Sequence, residues 1–96
     1  MRTRARVDAN QLEIVKALRQ VGVSVLHLHT VGKGCPDLLL GLRNINLLVE
    51  LKDGRKPPSK RRLTPDEQKF HVSWRGQVCV ISSVEEALDL VKGEVS

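Results

Sequence analysis

Residues 34–52 read Gly34-Cys35-Pro36-Asp37-Leu38-Leu39-Leu40-Gly41-Leu42-Arg43-Asn44-Ile45-Asn46-Leu47-Leu48-Val49-Glu50-Leu51-Lys52. Two short runs rich in Leu, Val and Ile, broken at Arg43-Asn44, have the length and composition of two buried strands joined as a hairpin. A two-residue loop at Arg43-Asn44, with Asn suited to a left-handed backbone, sets the register. Leu42 then faces Ile45, Leu39 faces Leu48, and Asp37 falls directly opposite Glu50. Cross-strand partners hold their Cβ atoms roughly 4.5–5.5 Å apart, so the two carboxylates converge. Lys52, two residues past Glu50, shares their face.

Two like charges inside an apolar hairpin repel and lose hydration, which is unfavourable without compensation. A divalent cation compensates both. The alternative is that Asp37 merely follows a turn while Glu50 and Lys52 lie on a solvent-facing edge. Leu47, Leu48, Val49 and Leu51 favour burial on both faces instead.

Working outward, Asp8 or Asn10 is placed to cap a helix ending near Val21-Gly22. Leu12, Val15 and Leu18, with Ile14 and Val21, are its expected buried stripe, and Glu13 lies on the border. Residues 23–30 predict a strand with Val23, Val25, His27 and His29 on one face. Gly32-Lys33-Gly34 is a turn into the hairpin, without the spacing or the Lys-Ser/Thr pair of a P-loop. Its small residues leave room for a nucleic-acid backbone, and Lys33 is a candidate phosphate contact.

After Lys52 and the Asp53-Gly54 turn comes Arg55-Lys56-Pro57-Pro58-Ser59-Lys60-Arg61-Arg62, the densest positive cluster, kept out of any sheet by its prolines. Arg55, Lys56, Lys60, Arg61 and Arg62 are candidate phosphate contacts. Thr64-Pro65-Asp66-Glu67 then opens a helix, with Thr64 at the cap, Pro65 at the first position and Glu67 completing a capping box. That helix is expected to reach Gly76, with Phe70 and Trp74 sharing one face as core. Residues 77–82 predict a strand, and Ser82 or Ser83 caps a last helix to Lys92 that buries Ala87, Leu88 and Val91. The order is α-β-β-β-α-β-α: an α/β fold with a mixed central sheet flanked by helices.

The 96 residues make one domain, and residues 1–7, with Arg2, Arg4 and Arg6, read as a basic arm. Neither a membrane-spanning stretch nor a signal-peptide pattern is visible, so an intracellular, cytoplasmic protein is expected. Cys35 and Cys79 are then expected to be reduced and small apolar in role. With His27, His29 and His71 they show no zinc-ligand spacing. A net charge of +5 favours an anionic partner, nucleic acid first. One Phe, one Trp and no Tyr argue against a single-strand binder built on base stacking.

Gly34-Cys35-Pro36-Asp37, then Glu50-Leu51-Lys52, then Leu63-Thr64-Pro65 with Gln68 stand in the order of the PD-(D/E)XK nuclease superfamily. The chain, from about Asn10 to Val91, most resembles a stand-alone VRR-NUC domain of the phage type. The resemblance implies a restriction-endonuclease-like core and a Mg²⁺- or Mn²⁺-dependent endonuclease. It assigns metal binding to Asp37, Glu50 and the carbonyl of Leu51, and catalysis to these carboxylates with Lys52. It further implies that Gln68 supports the attacking water or scissile phosphate, and that Glu13, or else Asp8, reaches the metal from the first helix. The implied substrate is DNA, with branched or four-way-junction DNA favoured and a homodimer matched to the junction's twofold symmetry. Two other readings stay open: a basic module that binds nucleic acid without cutting it, and a nuclease acting on RNA.

Overall fold

The computed structural model describes residues 9–93; the basic arm and Asp8 lie outside the described residues. Arg43 and Asn44 both take positive φ, 48° and 64°, the conformation of a type I′ turn whose twist suits a two-residue hairpin. It joins β2 (Leu38–Leu42) to β3 (Ile45–Leu51), with Leu42 opposite Ile45, Leu39 opposite Leu48 and Leu38 opposite Val49. One step further in that register, Asp37 stands across from Glu50. β1 (Ser24–His27) pairs antiparallel with β2, and β4 (Val78–Ile81) pairs parallel with β3. The result is a mixed sheet in the order β1-β2-β3-β4.

A parallel pair needs a crossover, and here it is α1's successor in the chain, α2 (Pro65–Ser73). The first helix, α1 (Ala9–Gln20), packs against the last, α3 (Val84–Gly93), and against β1. The element order is the expected one, and the α/β architecture agrees with a restriction-endonuclease-like core. Leu38 and Leu40 of β2, Leu47 and Val49 of β3 and Ile81 of β4 bury one face of the sheet against Ile14, Val15 and Leu18 of α1 and Ala87 of α3. Asp37, Glu50 and Lys52 belong to the opposite pleat, at the end of the same strands.

Several expectations change. In α1 the buried stripe is Asn10, Gln11, Ile14, Val15 and Leu18, while Leu12 is 60% exposed and Val21 also faces solvent. These positions follow the helical period; the first turn simply buries amides instead of hydrocarbon, because it faces the polar end of the sheet. Asn10 is therefore inside the helix and buried rather than a cap. The helix ends in a Schellman motif: Val23 N–H donates to the Leu18 carbonyl, Gly22 N–H to that of Arg19, and Gly22 has φ +89°.

β1 is shorter than the predicted run, because the chain turns at Leu28, whose carbonyl accepts from Val31 N–H; His29 lies beyond the strand. α2 stops at Ser73, with Trp74 extended at its end. Phe70 and Trp74 do share a face and stack with centroids 5.1 Å apart, but they are not core. No residue of α2 is buried, Val72 is 82% exposed and Trp74 46%. Cys35 and Cys79 are partly buried and not joined in a disulfide. Ser83 is the cap of α3, its Oγ accepting from Glu86 N–H.

Candidate active site

Asp37 is held at the mouth of the hairpin by backbone on two sides. Its carbonyl accepts from Leu28 N–H at 2.8 Å, and its Oδ2 accepts from Leu51 N–H at 2.8 Å. Glu50 is 3% exposed, which rules out the solvent-facing edge. Its Oε1 is buried with no hydrogen-bond partner, and its Oε2 lies 3.6 Å from Lys52 Nζ. Lys52 in turn donates to Glu67 Oε1 at 2.8 Å, the same oxygen that receives Thr64 N–H at the start of α2.

These contacts depend on two distant close approaches. Gly34 has φ +77°, and a Cβ there would strike the Asp66 carbonyl and come within 2.8 Å of Glu67 N. Only glycine lets the first turn of α2 settle on the Gly32–Gly34 loop, which is what carries Glu67 to Lys52. On the other side, Asn10 Nδ2 donates to the Lys52 carbonyl at 3.1 Å, tying α1 to the end of β3.

A cleft of about 200 Å³ opens here, lined by Asn10, Gln11, Asp37, Glu50, Leu51, Lys52 and Asp53. Burial, then the charges of Asp37 and Glu67, push Glu50 up from 4.5 to about 9, Lys52 opposing. Burial also raises Asp37 above the usual range, despite the Leu51 hydrogen bond that favours its charged form. Burial alone would lower Lys52, but the hydrogen bond to Glu67 and the carboxylates around it raise it. Glu67 goes the other way: burial opposes its charge, and Lys52 and Thr64 N–H together hold it below the ordinary value.

The donors fit a hard divalent cation. Two carboxylates converge, one of their oxygens is buried and unpartnered, and the cleft offers oxygen rather than sulfur or imidazole. Among the described residues, no group of three His, Cys, Asp or Glu could hold an ion by itself. A cation held here would have to keep waters or draw on carbonyl oxygen as well.

The other site expectations fall at several places. Leu51 lines the cleft beside Asp37 and Glu50. Glu13 does not: it is exposed, lies 4.0 Å from Arg55, and lines a wider neighbouring cleft of about 610 Å³ with Arg55, Arg61, Ser82 and Ser83. Gln68 is exposed on α2, away from the cleft lining. Lys33 is exposed beside Asp66 and Lys69. In the basic loop, Lys56, Lys60 and Arg62 are exposed. Arg55 is engaged by Asp53 through two side-chain hydrogen bonds of 3.0 and 3.2 Å, and Arg61 is partly buried with its Nε lacking a partner.

Three site residues are ones that sequence reasoning did not assign: Asn10, Gln11 and Glu67. The first two sit one helical turn before Ile14 and Val15, so their burial was readable from the period of α1. Glu67 was readable only as a capping residue, since its reach to Lys52 depends on where α2 docks. Compared with family models, curated proteins and solved structures, the chain matches none, so the site is interpreted from its own residues.

Proposed function

We propose that this chain is a metal-dependent nuclease that hydrolyses DNA phosphodiesters at the Asp37–Glu50–Lys52 cleft. The observation that carries the reading is Glu50: a 3% exposed carboxylate, set across from Asp37, with one oxygen unpartnered. A group so placed is costly unless a cation or a proton neutralises it. Asp37, Glu50 and the carbonyl of Leu51 would hold Mg²⁺ or Mn²⁺, which when bound lowers the pKa of a coordinated water and offsets charge on the phosphate.

Lys52 is kept charged by Glu67 and therefore serves as a fixed cation facing phosphate oxygen, not as a base. Asn10 and Leu51 N–H hold the backbone and the Asp37 carboxylate in place around it. Lys56, Lys60 and Arg62, a few residues past Lys52, supply exposed charge for the DNA backbone. The family resemblance of the motifs favours branched DNA and a homodimer acting inside the cell.

A module that only binds nucleic acid would gain nothing from a buried Glu50 set across from a partly buried Asp37. The deciding experiment is cleavage of a labelled four-way junction and a matched linear duplex with Mg²⁺, Mn²⁺ or EDTA. Metal-dependent cutting is expected, lost by at least 100-fold in Asp37→Ala and Lys52→Ala while binding persists, with the junction cut faster. Tight binding without cutting of either DNA overturns the assignment, and cutting of RNA alone redirects it.

A further inference from the structure

The crossover helix carries two aromatic rings that its packing leaves unused. Phe70 and Trp74 stack with centroids 5.1 Å and planes 16° apart, yet α2 has no buried residue and Trp74 is 46% exposed. The indole is held rather than free. Phe70 lies against it, and Gly76 approaches so closely that a Cβ there would stand 2.9 Å from Trp74 Nε1. A half-exposed ring held in this way offers a flat partner a stacking surface with little side-chain freedom left to lose on binding.

Charge surrounds the pair. Phe70 lines a groove of about 480 Å³ with Lys33, Asp66, Lys69 and Ser73, and Arg75 follows Trp74 in the chain. Lys33, Lys69 and Arg75 are exposed and make no ion pair among the described residues. Against the single carboxylate of Asp66, positive charge is in excess. A second copy laid symmetrically on this face would bring the same lysines against each other. An unpaired nucleotide instead brings a π-face to the rings and phosphate to the lysines. The groove adjoins the acidic cleft: the loop at residues 32–34 abuts the first turn of α2, and Phe70 lies one turn past Glu67, roughly 5 Å of helix rise.

We infer that Phe70 and Trp74 form a platform on which an unpaired DNA base stacks, its flanking phosphates held by Lys33 and Lys69. The choice of DNA rests on the nuclease reading, to which the platform adds a substrate with an unpaired base beside the cut. Two rings serve one or two bases and not a long single strand, in keeping with the few aromatics of the chain.

Trp74 is the only tryptophan, so its fluorescence reports on the platform directly. In EDTA, a short oligothymidylate is expected to quench the full chain, while an abasic deoxyribose-phosphate oligomer of the same length and a blunt duplex leave its emission unchanged. By anisotropy of labelled oligomers, Trp74→Ala is expected to bind oligothymidylate about 10-fold more weakly and the abasic oligomer as before, and Trp74→Phe to keep most of the affinity. Lys33→Gln with Lys69→Gln should weaken both oligomers alike and lower the salt slope by about 1.4. Thermal melts check folding, and the comparison of oligomers on the wild-type chain stands without any variant.

Equal wild-type affinity for the two oligomers with no quenching overturns the inference, and leaves the nuclease reading standing if the junction is still cut. Quenching by oligouridylate but not by oligothymidylate also overturns it, as does a dimer in sedimentation whose formation without DNA shields Trp74. Base-dependent quenching in a chain that cuts neither DNA supports the platform while the nuclease reading fails.

Discussion

Glu50 sets the energetics of the site because its carboxyl is buried beside Asp37 and Glu67, with Lys52 Nζ at 3.6 Å only partly offsetting them. Its folded-state pKa of about 9 lies above the ordinary 4.5, so in the absence of metal the folded chain holds a proton that the unfolded chain releases. Stability from this group is complete below about pH 4.5 and is lost as pH rises towards 9, by at most about 1.4 kcal/mol per pH unit. Asp37, also raised, acts in the same direction. Glu67 is lowered and contributes at the acid end, where its stabilisation is lost as pH falls. In EDTA the melting temperature is therefore expected to fall between pH 6 and 8.5, and Glu50→Gln to flatten that fall and be the more stable protein at pH 8.5. Mn²⁺ should reverse the slope in the wild type and do nothing for Glu50→Gln. A wild-type melting temperature that rises over this range in EDTA would show that Glu50 is not held neutral.

At the scale of elements, the site is a junction of three: the β2–β3 hairpin supplies Asp37, Glu50 and Lys52, α2 supplies Glu67, and α1 supplies Asn10 and Gln11. Docking of α2 depends on Gly34, where both a positive φ and a backbone clash oppose any side chain. Gly34→Ala is expected to cost about 2–4 kcal/mol in urea unfolding and to free Lys52 from Glu67. Gly32→Ala is the matched control, with φ +81° but nothing within 4 Å of a Cβ, and should cost only about 1–2 kcal/mol. Equal losses in the two would mean that contact with α2 contributes nothing. The same elements show how much the sequence discloses. The hairpin register was legible because a two-residue loop and a period of two leave one solution, and it put Asp37 opposite Glu50 without further information. In α1 the helical period, not hydrophobicity, decides burial: Leu12 is 60% exposed while Asn10 and Gln11 are buried. Phe70 and Trp74 likewise have core chemistry, but they lie on or just beyond α2, a helix with no buried residue. The partnership of Glu67 with Lys52 was not legible at all, since it joins residues 15 apart through a loop conformation that only the fold defines.

Over the whole molecule, a net charge of +5 coexists with a site whose own lining is acidic. The positive charge must therefore act from outside the cleft. Arg55, whose side chain is 65% exposed, is paired with Asp53, and Arg61 is partly buried. Lys56, Lys60 and Arg62 are exposed on the same loop, whose 3-10 turn at Pro58–Lys60 fixes the spacing between them. Each phosphate neutralised by such a side chain steepens the dependence of log K on log salt by about 0.9 on duplex DNA. Replacing all three by Gln is expected to reduce the slope by about 2–3, measured in EDTA so that no cutting occurs, and to weaken junction and duplex alike because phosphate contacts carry no sequence or shape information. Mn²⁺ affinity, set inside the cleft, should stay at the wild-type value. A slope that does not change would place the DNA on another face of the protein, and a selective loss for the junction would mean that this loop reads branch geometry as well as charge.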